Sequence, residues 1–328
     1  MNISVQSDLP TIYTDINVFR YVAYGEMKID KPECFRWVYS HVHLDEIHRS
    51  GNADALNGME QLGAVKIEDI LDEQFQSTGN VILRKYADPS HRYRQYLDAI
   101  AGYEDTGEIM IEILLRLYGA DNFAELSLTP EKLQAEVDRL TAEADPSVRK
   151  ELLSRANQVS LEMKEGIEKH MKEMRPLEHI RNEIGLSSGK RDTAARSDSP
   201  IDMLWEVIKD DFKEVEKDQF FGFQQIPGIG GVQHTQDGSI AGAYTILNLL
   251  GLRADRGLAR REKVKNTISD SQHVGMASYC NALLSGDKRL CDKANAIYLH
   301  LGLPAEALHF KYEAGGFTVY LEVTKPIP

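Results

Sequence analysis

The chain has 328 residues and a mass of 37.0 kDa, with 42% hydrophobic and 27% charged residues, a composition that fits a folded globular protein and excludes collagen-like and low-complexity classes. A net charge of -13, from 38 Lys plus Arg against 51 Asp plus Glu, excludes a protein that coats nucleic acid with its whole surface, though not a local basic patch. Cys34, Cys280 and Cys291 are odd in number and form no close pair, which excludes a disulfide framework and a C-x-x-C metal knuckle.

The first residues, MNISVQSDLPTIYTD, lack a basic region followed by an apolar run, and no segment approaches the roughly 18 apolar residues of a membrane span. A cytoplasmic protein with no membrane partner is expected. TIYTD (11–15) reads as a short strand ending on an acid, and NVFRYVAYG as a helix closed by Gly25. RWVYS (36–40) reads as a second strand; HVHLDEIHRSG then starts a helix with Ser40 as N-cap and Gly51 as its stop. From 52 to 235 long charged stretches with helical spacing predict an all-helical region, in which SSGKRDTAARSDSP (187–200) reads as a mobile loop.

Past 235 the strand-and-helix texture returns. SIAGAYTILNLLGL, RGLARREKVKNTI and DSQHVGMASYCN read as three helices, ALLSGD as a buried strand, KRLCDKANAIYLHLG as a helix, and ALHFKY and FTVYLEV as closing strands. Strands alternating with helices predict an α/β fold with a parallel sheet and helices on both faces. Residues 1–51 and 236–328 are therefore expected to form one domain in two parts, interrupted by a helical insertion over 52–235.

In an open α/β sheet, ligands bind outside the carboxyl ends of the strands. Asp15 ends the first strand, Glu46 lies one turn into the helix after the second, Asp287 follows ALLS, and Asp270 begins the helix leading into it. Four acids distant in sequence are thereby expected at one sheet edge. Grouped carboxylates are costly to keep ionised unless cations compensate them, and an all-oxygen set favours Mg²⁺ or Mn²⁺.

These segments resemble the PIN-domain nucleases. IYTDINVFRYVAYG resembles their opening strand with its Asp-x-Asn signature, here Asp15 and Asn17; YSHVHLDEI resembles the second element, with Glu46; and DSQHVGMASYCNALLSGDKRLCDKA is similar to their closing pattern, with Asp270, Asp287 and Ser285 in the hydroxyl place. The resemblance covers about 50 residues at the front and 60 to 90 at the back. It implies a PIN-like domain and metal-dependent endonucleolytic hydrolysis of phosphodiester bonds, usually of RNA. Asp15, Glu46, Asp270 and Asp287 would be catalytic and metal-holding, with Asn17 and Ser285 bonding to water, phosphate or carboxylates. It also carries an association with toxins and defence effectors. Two departures stand out: Asn281, where many members have an Asp, which bears on one metal or two, and the long middle segment, which bears on substrate class.

Two histidines complete the set. His43 shares a helix face with Glu46, and His273 lies three residues after Asp270. Both read as helix-capping, orienting or phosphate-contacting groups, with a zinc hydrolase using His41 and His43 as the alternative. RADRGLARREKVK (253–265) carries Arg256, Arg260, Arg261, Lys263 and Lys265, a phosphate track for nucleic acid or a solvated helix face. RKYADPSHRYRQY (84–96) interleaves cations with Tyr86, Tyr93 and Tyr96, which reads first as tyrosines packed between helices and second as a base-stacking surface. Beyond a nucleic-acid substrate, the implied partners are a protein or inhibitor held by the helical insertion, or a second copy of the chain. A non-catalytic interaction module on the same fold is the other functional reading.

Overall fold

The computed structural model of the protein describes residues 9–73, 77–86, 88–101, 111, 114–115, 118, 129–142, 145–173, 177–225 and 234–323. Two compact units divide the chain: residues 1–102, 184–255 and 266–328 in the first, residues 103–183 and 256–265 in the second. No helix among the described residues is long and apolar enough to cross a membrane.

The first unit is an α/β layer structure. Strands β1 (Thr11–Thr14), β3 (Arg36–Tyr39), β4 (Val65–Leu71), β5 (Ser77–Arg84), β6 (Ala282–Ser285) and β7 (Glu306–His309) form one sheet in the order β5-β4-β3-β1-β6-β7. All neighbours are parallel except the β4-β5 pair. A separate parallel pair joins β2 (Met27–Ile29) to β8 (Phe317–Val319), so FTVYLEV closes a small sheet of its own. Side chains alternate across the main sheet, as the period of two requires. Ile12, Trp37, Tyr39, Ala282 and Leu284 enter one core with Val18, Phe19, Leu44, Ile47 and Met59. Tyr13, Val38 and Leu283 enter the other with Leu204, Tyr244, Leu247, Val274 and Ile297. Burial on both faces is why these strands read as unbroken apolar runs.

Helices α1 (Ile16–Ala23), α2 (His41–Ser50) and α3 (Asp54–Gln61) supply the first core. Gly58 on α3 permits their close approach: a Cβ there would lie 1.9 Å from Phe19 O. Gly58→Ala is therefore expected to cost about 2 kcal/mol, the scale of overpacking, read as a shift in the urea midpoint at unchanged slope. Gly51 ends α2 at φ 65°, a conformation that favours glycine.

The sequence expectation fails at three places in this unit. Residues 65–71 and 77–84, within the stretch expected to be all helical, form β4 and β5 and extend the sheet. The surrounding charge is what misleads: Glu68 gathers Lys66 at 2.8 Å, Arg84 at 3.1 Å and Arg92 at 3.3 Å, so charges that resemble an exposed helix neutralise one another on strands. Residues 187–200 are not a loop throughout: Ser188–Ala194 is helical and a further helix, Pro200–Ile208, follows, with Ala194 and Ile201 in the core. RGLARREKVKNTI and DSQHVGMASYCN are not two helices, because one helix runs from Arg261 to Ala277, placing Asp270 inside it rather than at its start.

In the second unit, helix Thr129–Leu140 and helix Pro146–Glu173 are linked by an Arg149–Asp138 ion pair at 2.6 Å. The charged spacing predicts one helix from about 130 to 175, and the structure divides it in two.

Candidate functional site

The sheet order reverses direction at β1. From β1 the chain moves outward through β3 and β4, then returns to the other side of β1 with β6 and β7. The crevice outside the carboxyl ends of β1 and β6 is thus a topological switch point, the usual ligand position in such sheets. Three strand-to-helix junctions meet this edge. Asp15 caps α1, Ser40 caps α2, and Asp287 caps helix Lys288–His300. Each cap follows its strand by one or two residues, which ties the site to the local sequence.

Ser285 joins two of the acids. Its hydroxyl donates to Asp15 Oδ2 at 2.5 Å and accepts from Asp287 N at 3.0 Å. Asp15 Oδ1 accepts from Asn17 N at 2.7 Å, and the Asn17 residue is exposed beside it. Asp287 Oδ1 accepts from Arg289 N at 2.7 Å and Leu290 N at 3.2 Å, while the residue as a whole is exposed. Burial pushes the Asp15 carboxyl above the usual carboxylate range, against the lowering effect of the Ser285 and Asn17 hydrogen bonds.

Glu46 is held differently. Its Oε2 faces His273 Nε2 at 3.3 Å, and Arg49 approaches Oε1 at 3.6 Å. Burial is the largest single influence and would raise its carboxyl, but the charge and polar contact of His273, with His43 and Arg49, together outweigh it and hold the group at about 2. Neither Oε2 nor His273 Nε2 completes a hydrogen bond, though both atoms are buried. The adjacent Asp45 turns elsewhere, pairing with Arg49 at 3.2 Å and accepting from Tyr96 at 3.1 Å. Of these two neighbouring acids, Glu46 is the one that faces His273.

Behind Glu46 lies a chain of buried polar groups. Tyr13 Oη sits 2.7 Å from both His273 Nδ1 and Ser40 Oγ. Protonated on both nitrogens opposite Glu46, His273 donates from Nδ1 to Tyr13 Oη, and Tyr13 in turn donates to Ser40 Oγ. His43 closes the set from the side. Its Nδ1 accepts from Ser40 N at 3.0 Å, so Nε2 donates to Thr14 O at 2.7 Å. Burial drives its pKa well below the usual histidine value, so it is neutral. Both ring nitrogens are engaged, which takes His43 out of the zinc alternative and fixes it as a helix-capping group.

Asp270 faces a crowded negative field. Burial, then Asp255 and Glu46, push its carboxyl well above the ordinary range; Lys293 opposes them and Asp287 adds to them. Lys293 and Asp255 form a buried ion pair in the field of Asp270 that sequence reasoning missed. The fully buried Lys293 ammonium donates to Asp255 Oδ1 at 2.7 Å and Asn248 Oδ1 at 2.8 Å, and lies 4.1 Å from the Tyr244 ring centroid. Asp255 also accepts from Asn248 at 3.1 Å and Thr267 at 3.2 Å. A signal existed: Lys293 occupies the apolar face of KRLCDKANAIYLHLG, one turn from Leu290 and Ile297.

Asn281 corrects an expectation. Its Oδ1 accepts from Thr11 N at 2.8 Å and Thr11 Oγ1 at 2.9 Å, stapling β6 to β1 at the opposite end from Asp15. It therefore has no bearing on how many metals the edge could hold. The residues of the expected phosphate track fall in the second unit: Arg256, Arg260 and Lys263 are exposed, Arg261 and Lys265 partly buried. Tyr86 bonds to Glu68 and Tyr96 to Asp45, as packed tyrosines do.

The donor chemistry fits a hard divalent cation: oxygen ligands only, a buried Glu46 oxygen without a hydrogen bond, and two carboxyls, Asp15 and Asp270, whose ionisation lacks compensation. Among the described residues, however, no three His, Cys, Asp or Glu side chains are disposed to hold one ion. No family model, curated protein or solved structure matches the chain.

Proposed function

We propose that the protein is a cytoplasmic, metal-dependent endonuclease on a PIN-like fold, acting on RNA by hydrolysis of its phosphodiester bonds. The observation that supports it best is the pair Asp15 and Asp287 on either side of the switch point, bridged by the Ser285 hydroxyl. The parallel order β4-β3-β1-β6-β7 is compatible with that fold. Asp15, Glu46, Asp270 and Asp287 would hold Mg²⁺ or Mn²⁺, which on binding lowers the pKa of a coordinated water and offsets charge on the phosphate. Ser285 keeps Asp15 oriented, His273 keeps Glu46 ionised, and the exposed Asn17 is placed to bond water or phosphate. Arg256, Arg260, Arg261, Lys263 and Lys265 would neutralise backbone phosphates, and the helices of the second unit would take a protein partner or inhibitor. A role as toxin or defence effector follows only from the family association.

The competing reading is a non-catalytic interaction module, favoured by carboxylates that do not yet close around one point. Cleavage of labelled single-stranded RNA and DNA with Mg²⁺, Mn²⁺ or EDTA separates the two. The wild type is expected to cut in either metal and to stop in EDTA. Asp15→Asn and Asp287→Asn are expected to fold and to lose about a hundredfold or more, the scale of removing one charge-stabilising group. Full activity in either variant, or none in the wild type, sinks the hydrolytic reading.

A further inference from the structure

Beside the carboxylates stands an aromatic wall that the cleavage chemistry does not use. It begins at Gly286, between Ser285 and Asp287, where a Cβ would lie 3.1 Å from the Phe310 ring. Phe310 is seated there by its own N–H, which donates to Ser285 O at 3.1 Å. Its ring meets Phe317 at a centroid distance of 5.7 Å and 20°, and Tyr21 at 6.3 Å and 90°. Tyr21 in turn stacks on Tyr312, centroids 4.9 Å apart and planes inclined by 30°. The wall thus starts in the core, with Phe310 7% exposed, and ends in solvent, with Tyr312 48% exposed.

Two separate features tie this wall to the site. Phe310 packs on the backbone between two site residues, and Tyr21 sits on α1, the helix that Asp15 caps, within range of the Asp15 charge. Core packing accounts for Phe310, Phe317 and Tyr21, which all sit in or against that cluster. It does not account for Tyr312, which stacks on Tyr21 and meets the edge of Phe317 with half of its surface in water.

We infer that Tyr21 and Tyr312 form a stacking platform for an unpaired base of the nucleic-acid strand whose phosphodiester lies at the carboxylates. The inference rests on the nuclease reading and narrows its substrate to single strands. Charge decides what the platform can take. Tyr312 Oη donates to Glu26 Oε2 at 3.3 Å, and Glu313 is exposed nearby, so a phosphate is repelled where a neutral base is not. A duplex keeps its base faces stacked inside, whereas an unpaired base offers one, and such stacking is sequence-tolerant because every base has a π face.

The test uses 2-aminopurine oligonucleotides, as RNA and as DNA, single-stranded and duplex, bound to the full chain carrying Asp287→Asn in Mg²⁺ so that none is cut. Single strands are expected to bind with quenched 2-aminopurine fluorescence, and duplexes to bind without the quench. Adding Tyr312→Ala, at an exposed position, is expected to weaken single-strand binding about tenfold, within the range for one lost stack, and to abolish the quench, whereas Tyr312→Trp restores both. Unchanged affinity and quench in Tyr312→Ala overturns the platform, as does equal quenching of duplex or no single-strand binding. A quench that depends on Tyr312 in a protein whose wild type cuts nothing would instead leave the platform standing and remove the nuclease reading. RNA and DNA quenched alike assign the stack to the base alone; RNA alone assigns a further contact to the 2′-hydroxyl.

Discussion

Asp270→Asn is expected to abolish cleavage and, in the same protein, to raise the melting temperature measured in EDTA at pH 8. The Asp270 carboxyl is pushed well above its ordinary range by burial and by Asp255 and Glu46, so its ionised form is the costly one. For an acid whose folded value is raised, the stability contribution is complete below the unfolded value, about 3.9, and is lost as pH rises through the folded value. The loss therefore grows as pH rises above the unfolded value, and Asn removes it. A gain of about 1 kcal/mol, the order of a typical single substitution, reads as roughly 2–4 °C in a chain of this size. Cleavage should fall by about two orders of magnitude or more. Calorimetry at pH 8 and pH 5 checks the sign: the wild type should gain on acidification and the variant should not. Mn²⁺ should raise the wild-type melting temperature, because a ligand that binds only the folded state stabilises it, and should raise that of the variant less. An unchanged or lower melting temperature for the variant in EDTA would mean that Asp270 bears no uncompensated charge.

The opposed states of Asp270 and Glu46 show what a sequence can carry and what it cannot. Asp15, Ser40 and Asp287 are legible because each caps the helix after its strand, and caps follow from neighbours in sequence. The joining of front and back is legible from texture, since short apolar runs at both ends need a shared sheet. Strand β4 is not, because its pairing with β3 and the burial of Lys66 depend on Glu68 and on Arg84 and Arg92 at a distance. Asn281 is misplaced by sequence because its side chain belongs to the register between β6 and β1, which places it at the start of the strand. Lys293 escapes notice because a buried ammonium makes sense only with Asp255 and Asn248 in view. The electrostatics of the site thus reside in non-local pairs, while its address on the sheet is local.

The pair that most depends on distance in sequence is Glu46 with His273, and His273→Ala is expected to be the costliest substitution at this edge. It would leave Glu46 with Arg49 alone at 3.6 Å, take a hydrogen-bond partner from the Tyr13 hydroxyl, and open a void among buried rings 4.6 to 5.6 Å apart. Breaking a buried charge pair and removing one of the hydrogen bonds of the Tyr13 hydroxyl together cost about 3 kcal/mol. The pH dependence identifies the cause. Glu46, depressed to about 2, contributes stability that is present above its unfolded value of about 4.3 and is lost as pH falls through about 2. Without His273 the folded value climbs, so urea unfolding should show a wild-type advantage at pH 7 that narrows as pH falls from about 4.5 toward 2. The acid limb of any cleavage-rate profile should move upward with it. His273→Gln, which restores a hydrogen-bond partner for Tyr13 but carries no charge, should recover part of the stability and none of the acid-side shift. If instead both variants kept the wild-type acid limb, Arg49 would suffice to hold Glu46 ionised, and His273 would be a packing residue whose ring merely fills the space beside Tyr13.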